Sequence, residues 1–267
     1  TYGLDRPLHE RLGIYLLKAM QGDLGTSYYY NAPVISLFLD RVGPTVLLIG
    51  TATIVALVVG TTLGVLASRR PEGMLSAVVT VLGLLGYAAP AFWTGLMLLI
   101  VFASLIPLFP VQGMQTLLVA GGPIAKALDI AHHLVLPAVT LSVIYIAQYS
   151  RLTRASMLEV LGSDYIRTAR AKGVPEFRVV FKHALRNAIL PTITITGLHF
   201  GTLLAGAVLV ETVFNWPGLG TLAFQSILRR DYPTIMGLLS FSAIMVIIAN
   251  LLTDLCYAWA DPRIKKG

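Results

Sequence analysis

The chain has 267 residues, of which 56% are hydrophobic and only 12% charged, and it carries a net charge of +7. That balance excludes an ordinary soluble domain and a disordered chain and leaves an all-α, polytopic membrane protein. The basic excess would suggest nucleic acid in a soluble chain, but here it is the surplus of Lys and Arg expected in cytoplasmic loops.

In chain order, Asp5 and Pro7 open a helical pattern that places Leu8, Leu12, Tyr15, Leu16, Ala19 and Met20 on one face and closes at Gly22. It is too polar to span. Tyr28, Tyr29 and Tyr30 read as interfacial aromatics with no ligand role. From Val42 to Ser68 no residue is charged, which is more than the roughly 20 residues a span needs. Arg69, Arg70, Pro71 and Gly73 then make a tight cytoplasmic connection. Met74 to Ile106 is again uncharged and too long for an upright span, so tilt, projection beyond the bilayer or a bend at Pro90 is expected. Gly83, Gly86 and Ala88 permit close helix contact there.

Pro107 to Asp129 reads as an outer connection. His132 and His133 follow at the mouth of the next span. Adjacent histidines on a helix point to different sides, so they read as interfacial groups and not as a metal site. The third span runs from about Ile130 to Ser150 and ends at Arg151 and Arg154. The fourth is Asn187 to Val210, and His199 in its middle is expected to face the protein interior or a polar path. An outer segment from Glu211 to Tyr232 leads to a last span, Pro233 to about Trp259, interrupted by Asp254. The tail bears Arg263, Lys265 and Lys266. This topology puts thirteen of the twenty basic residues inside and seven outside, in the sense of the positive-inside rule.

The segment set apart from these spans is Asp164 to Pro191, since eight of the twenty basic residues lie between Arg151 and Arg186. Ser163 or Asp164 can cap a first short helix, Arg170 and Lys172 suit its C-terminal end, and Gly173 can take the left-handed conformation that stops it. Pro175 and Glu176 suit the first turn of a second helix, whose far end carries Lys182 and Arg186. A DNA-reading helix pair is unsuited to tethering between two spans. An amphipathic loop lying on headgroups is the plainer alternative, but the order cap, helix, Gly, Pro, helix describes a rigid knob.

On these residues the chain resembles the membrane subunits of ATP-binding-cassette importers, whose cytoplasmic signature loop has a Glu-Ala-Ala, Gly, Ile-x-Leu-Pro pattern. Ala169, Gly173 and Leu185 match the general form. RTARAKG followed by HALRNAILP resembles the dipeptide, oligopeptide and nickel branch, as do GLDRPL, GDLGTS, ETVFNWPGLG from Glu211 to Gly220, and DPRIKK. The resemblance implies the type I importer transmembrane fold, with five spans in this chain and a sixth expected upstream. It divides the chain into an extracytoplasmic segment, 1–41, and a transmembrane permease domain, 42–267, with a cytoplasmic coupling loop at 151–191.

It also implies partners: two ATPase subunits or domains, a related second permease, an extracytoplasmic substrate-binding protein and the lipid of a prokaryotic inner membrane. No phosphate-cradling Gly-x-x-x-x-Gly-Lys-Ser/Thr loop occurs, so ATP and Mg are expected on the partner ATPases, with no catalytic residue, cofactor or metal on this chain. Asp164, Arg167, Thr168, Ala169, Arg170, Lys172 and Gly173 are expected at the ATPase interface, and Gly173 gives a turn no side chain should crowd. Glu211, Phe214 and Trp216 read as an interfacial anchor or, alternatively, as residues that shape the outer gate or meet a delivering protein. Arg229 and Arg230 are candidates for docking that protein. The cargo reads as di- or oligopeptides, with nickel or another small solute as the alternative. An ion-coupled secondary transporter is the alternative of another class, and it would carry more intramembrane polar groups and have no need of a structured basic knob.

Overall fold

A computed structural model describes residues 7–116, 121–198 and 200–260. Among them every regular element is a helix, apart from one isolated bridge, Thr26 to Pro33. His199 and the tail 261–267 lie outside the described residues. A short amphipathic helix, α1 (Leu8–Met20), precedes a loop that leads to α2 (Val34–Ser68). That long helix starts eight residues before the uncharged run, because Pro33 sets its N-terminus and charges at Asp40 and Arg41 do not stop a helix. α3 (Met74–Ala88) and α4 (Ala91–Leu99) meet at Ala89 and Pro90 with a bend of 106°. The bend expected at Pro90 is therefore present, where the ring removes an N–H and holds the preceding residue extended. α4 continues into a π-helical turn, Ile100–Leu105.

α5 (Pro123–Leu161) is 39 residues long and extends beyond the predicted span at both ends. α6 (Asp164–Ala171) and α7 (Glu176–Arg178) build the knob. A π-helical turn, Val179–Ala184, then leads through α8 (Leu185–Ala188) and α9 (Leu190–Leu198) to α10 (Phe200–Val213). α11 (Leu219–Leu228) and α12 (Tyr232–Ala260) complete the fold. Among the described residues, α2, α5 and the bent α3–α4 pair are long and apolar enough to cross a membrane. The remaining two predicted spans fall on α9–α10 and α12.

α2 and α5 form the frame. Gly60 faces Ile146 and Tyr149, while Gly64 faces Ser150 and Thr153, so the two helices advance together and run parallel. A Cβ at Gly64 would stand 2.6 Å from the Ser150 carbonyl and 2.7 Å from the Thr153 Cβ. Two glycines one turn apart thus let the backbones touch, which is how helices associate where lipid supplies no hydrophobic drive. Buried apolar residues gather at both ends of this pair. Leu48, Leu134, Leu141, Val210 and Trp216 form the outer cluster, and Val65, Met157, Ile166, Val179 and Ala184 the inner one.

Candidate functional site

The knob is built as the spacing predicts, with one difference at its start. Ser163 occupies the N-cap position, yet its hydroxyl donates to the Val160 carbonyl and makes no cap hydrogen bond. At the other end, Gly173 has φ of 73°, its N–H reaches the Arg170 carbonyl at 2.9 Å, and the Val174 N–H reaches Ala169 at 3.2 Å. This is the paired closure that terminates a helix with a left-handed residue. Pro175 then starts α7. Arg170 grips both oxygens of Glu176 at 2.8 and 3.1 Å, bracing the two helices across the turn. The Arg170 guanidinium, helped by nearby Arg69, holds the Glu176 carboxyl below its ordinary value against a small opposing effect of burial.

Ile166 is fully buried, and Ala169 and Val174 are partly so, which seats the knob on Met157 of α5 and Val65 of α2. Asn187 donates to the Tyr165 hydroxyl at 2.9 Å. The opposite face is open. Asp164, Arg167, Thr168, Lys172 and Gly173 are exposed, Arg167 lies 3.3 Å from Asp164, and a Cβ on Gly173 would meet nothing within 4 Å. Arg170 is thus a brace, and Arg167 and Lys172 are the cations turned outward.

The outer residues are placed differently from the surface role expected of them. Glu211 and Trp216 are fully buried, and Phe214 is 2% exposed. The Glu211 carboxylate accepts from the Gly220 N–H at 2.7 Å, the Thr221 N–H at 3.1 Å and the Thr45 hydroxyl at 2.6 Å. Thr45 in turn accepts from the Leu219 N–H at 2.8 Å, so the acid and its helper occupy the first N–H groups of α11. A Cβ at Gly218 would collide with the same carboxylate. The Trp216 indole donates to the Pro44 carbonyl at 2.9 Å. These residues therefore clamp α10, α11 and α2 together, and a buried carboxylate does not meet a delivering protein directly.

A second acid lies between α11 and α12 and ties the start of α12 to the loop before α2. Asp231 is 1% exposed and accepts from the Ser27 hydroxyl, from the Tyr28 N–H at 3.0 Å and from the Thr234 hydroxyl at 2.7 Å. Burial alone would push its carboxyl up, but these hydrogen bonds outweigh it and hold the group below its ordinary 3.8. Arg229 stacks 3.6 Å from the centre of the Tyr29 ring, and Tyr30 donates to Gln225 at 2.9 Å. The tyrosines read as interfacial thus support an arginine. Arg230 is exposed and sits in the left-handed region at φ of 54°, in the place a glycine fills at the knob. His132 donates to the Leu108 carbonyl at 2.8 Å and His133 to that of Asp129 at 2.9 Å, tying the outer connection down. Sequence reasoning missed the Thr45–Glu211 pair and the Gly60–Gly64 contact, although the latter left a Gly-x-x-x-Gly signal.

Residues 60–266 match the family described as binding-protein-dependent transport system inner membrane component. The chain belongs to this family. The permease is 43% identical to the oligopeptide transport system permease protein AppB of Bacillus subtilis, over 99% of this chain and 83% of that one. It is 42% identical to the dipeptide transport system permease protein DppB of Escherichia coli K12, over 98% and 83%. Its fold matches the methionine ABC transporter MetNI, solved in inward-facing conformations, with a TM-score of 0.65 at 17% identity, over 85% of this permease and 97% of that chain. The expected importer fold is thereby established.

Proposed function

We propose that this permease is one of two membrane subunits of an importer for di- or oligopeptides, driven by separate ATPase subunits and supplied by an extracytoplasmic binding protein. The names of its relatives support the cargo. In this reading the knob enters a cleft on an ATPase subunit with Arg167 and Lys172 against acidic residues, while ATP and Mg stay on that partner. ATP-driven closure then moves the knob and, through Met157 and Val65, the α5–α2 frame on which it sits. Arg229 and Arg230, exposed at the outer face, contribute to docking the binding protein.

The single observation that carries the coupling role is the open left-handed Gly173 at the end of a braced, buried-footed helix. A substituent there meets nothing of this chain, so bulk can be felt only by a partner. Gly173→Trp is expected to leave the permease in the membrane but to release the ATPases on affinity purification and abolish ATP-driven uptake. Gly173→Asn, which tolerates the left-handed conformation, separates bulk from backbone strain and should keep both. Normal uptake by Gly173→Trp would count against the socket, and solute movement under an ion gradient without ATP would return the secondary-transporter reading. Competition between peptides and a nickel chelate decides the cargo.

A further inference from the structure

Arg151 and Arg154 are neighbours one turn apart on α5, yet their guanidinium groups go opposite ways. Arg154 reaches the inner turn, where it donates at 3.3 Å to the carbonyl of Pro71, which follows the exposed Arg69 and Arg70. That is the snorkelling expected of a long cationic side chain near the end of a span. Arg151 is exposed, but its guanidinium lies 5.7 Å from the centre of the Tyr87 ring, just before the bend at Pro90. Tyr87 is the residue before the last of α3, about 20 Å along that helix from its inner start at Met74. Less the 5.7 Å and the reach of the tyrosine ring, the guanidinium stands about 10 Å beyond the inner start of α3.

The rest of this stretch of α5 is covered by the chain itself. α2 packs through Gly60 and Gly64 on Ile146, Tyr149, Ser150 and Thr153, α3 packs through Gly83 and Gly86 on Val143 and Ala147, and α9 bonds Thr153 through Thr192. An apolar slot lined by Leu63, Leu75, Val78, Leu82 and Trp93 lies on the α2 side of the α3–α5 seam. The line that these contacts leave carries Ile144, Gln148 and Arg151, which helical spacing places on one face. Among the described residues no carboxylate is paired with Arg151, whose contact is the face of the Tyr87 ring. Stacking covers a face of the guanidinium and leaves its edge N–H groups to donate. A charge at this depth in lipid is costly, and Arg151 does not take the shorter route to the inner surface that Arg154 takes. Water or a polar ligand therefore reaches this face.

We propose that this face of α5 lines the route of the cargo and that Arg151, backed by Tyr87, holds the C-terminal carboxylate of a peptide in transit. The inference rests on reading the permease as a peptide importer, and it names the group of the cargo that is recognised. A carboxylate meets the edge of a guanidinium in a planar, bidentate way, and it is the anionic group that every peptide with a free C-terminus carries, whatever its side chains. One cation without a fixed counter-ion can hold such a group and still release it, as passage requires.

The test is ATP-driven uptake into vesicles that carry the full-length permease, its co-purifying subunits and the binding protein, with dialanine offered as the free acid and as its C-terminal amide. The binding protein is the same throughout, so a change in the acid-to-amide ratio of initial rates belongs to the permease. Arg151→Gln is expected to lower that ratio about tenfold, through loss of one charge-assisted contact, and Arg151→Lys to restore part of it. An unchanged ratio overturns the proposal. Wild-type vesicles that take up neither compound would instead remove the peptide reading on which it rests. A second variant leaves Arg151 in place: Ile144→Cys combined with Cys256→Ser, which removes the one native cysteine. Its thiol is expected to react with a charged, water-soluble methanethiosulfonate, read as a mass shift of this chain, and to be protected by dialanine more than by the amide. An unreactive thiol would mean that lipid or another subunit covers this face, and it overturns the proposal even where Arg151→Gln does not assemble.

Discussion

Truncating Glu211 to alanine tests the outer clamp most directly. The carboxylate is fully buried and takes two backbone N–H groups at 2.7 and 3.1 Å and the Thr45 hydroxyl at 2.6 Å. In Glu211→Ala the Thr45 hydroxyl can turn to a carbonyl of its own helix, but the Gly220 and Thr221 N–H groups cannot turn. Each orphaned buried donor costs about 1–3 kcal/mol, so the loss is about 4 kcal/mol. Glu211→Gln keeps the volume and one acceptor, losing the charge at a helix N-terminus and one hydrogen bond, about 1–2 kcal/mol. The assay is the midpoint of thermal aggregation of the purified transporter together with uptake in vesicles, with the order wild type, Gln, Ala in both. A companion Thr45→Val variant should be strongly non-additive with Glu211→Ala, because the two groups share one network. An alanine variant as stable as the wild type would refute the clamp. One that melts normally but loses uptake would make Glu211 a group that acts on cargo.

Two further changes probe the frame and the second acid. Gly64→Ala puts a Cβ 2.6 Å from the Ser150 carbonyl and should destabilise by about 1–3 kcal/mol. Gly50→Ala on the same helix meets nothing within 4 Å and should be neutral or stabilising by up to about 1 kcal/mol, so equal melting of the two variants would remove the close-contact argument. Asp231 has a depressed carboxyl, so its contribution is complete above its ordinary 3.8 and is lost as pH falls through the lower folded value. Asp231→Asn should therefore be less stable by roughly 1–2 kcal/mol near neutrality, and the gap should close below 3.8 in pH-dependent melting; a gap independent of pH would contradict it.

What was legible in the sequence was what neighbouring residues decide. Uncharged runs gave the long helices, Pro90 gave the bend, and Gly173 between Lys172 and Pro175 gave the left-handed stop, each set by local sterics or by the cost of charge in lipid. Helix ends were read too short at α2 and α5, since absence of charge marks the hydrocarbon and not the hydrogen-bonded helix, which continues into polar surroundings. The burial of the two outer acids escaped sequence reasoning for another reason. Glu211 finds Thr45 across 166 residues and Asp231 finds Ser27 across 204, and no periodicity reports such pairings. The buried state of Trp216 likewise depends on the Pro44 carbonyl from a distant helix. An aromatic beside a Pro-Gly turn carries the same sequence signal whether it anchors at an interface or plugs a core.

The same two helices carry both ends of the proposed mechanism. Val65 and Met157 form the seat of the knob, and Thr45 of α2 holds the acid that fixes α11. Val65 and Thr45 are twenty residues apart on one helix, about 30 Å. Between them Gly60 and Gly64 press α2 against α5, leaving no soft layer in which a displacement could be absorbed. Thr153 bonds Thr192 at 2.9 Å, joining α9 to the same frame near the knob. A push on the knob therefore has a stiff route to the outer clamp. By contrast, α3 buries only Ser76 and Val79 and turns away at Pro90, beside the apolar slot. The bent pair is thus the element with room to move against the frame.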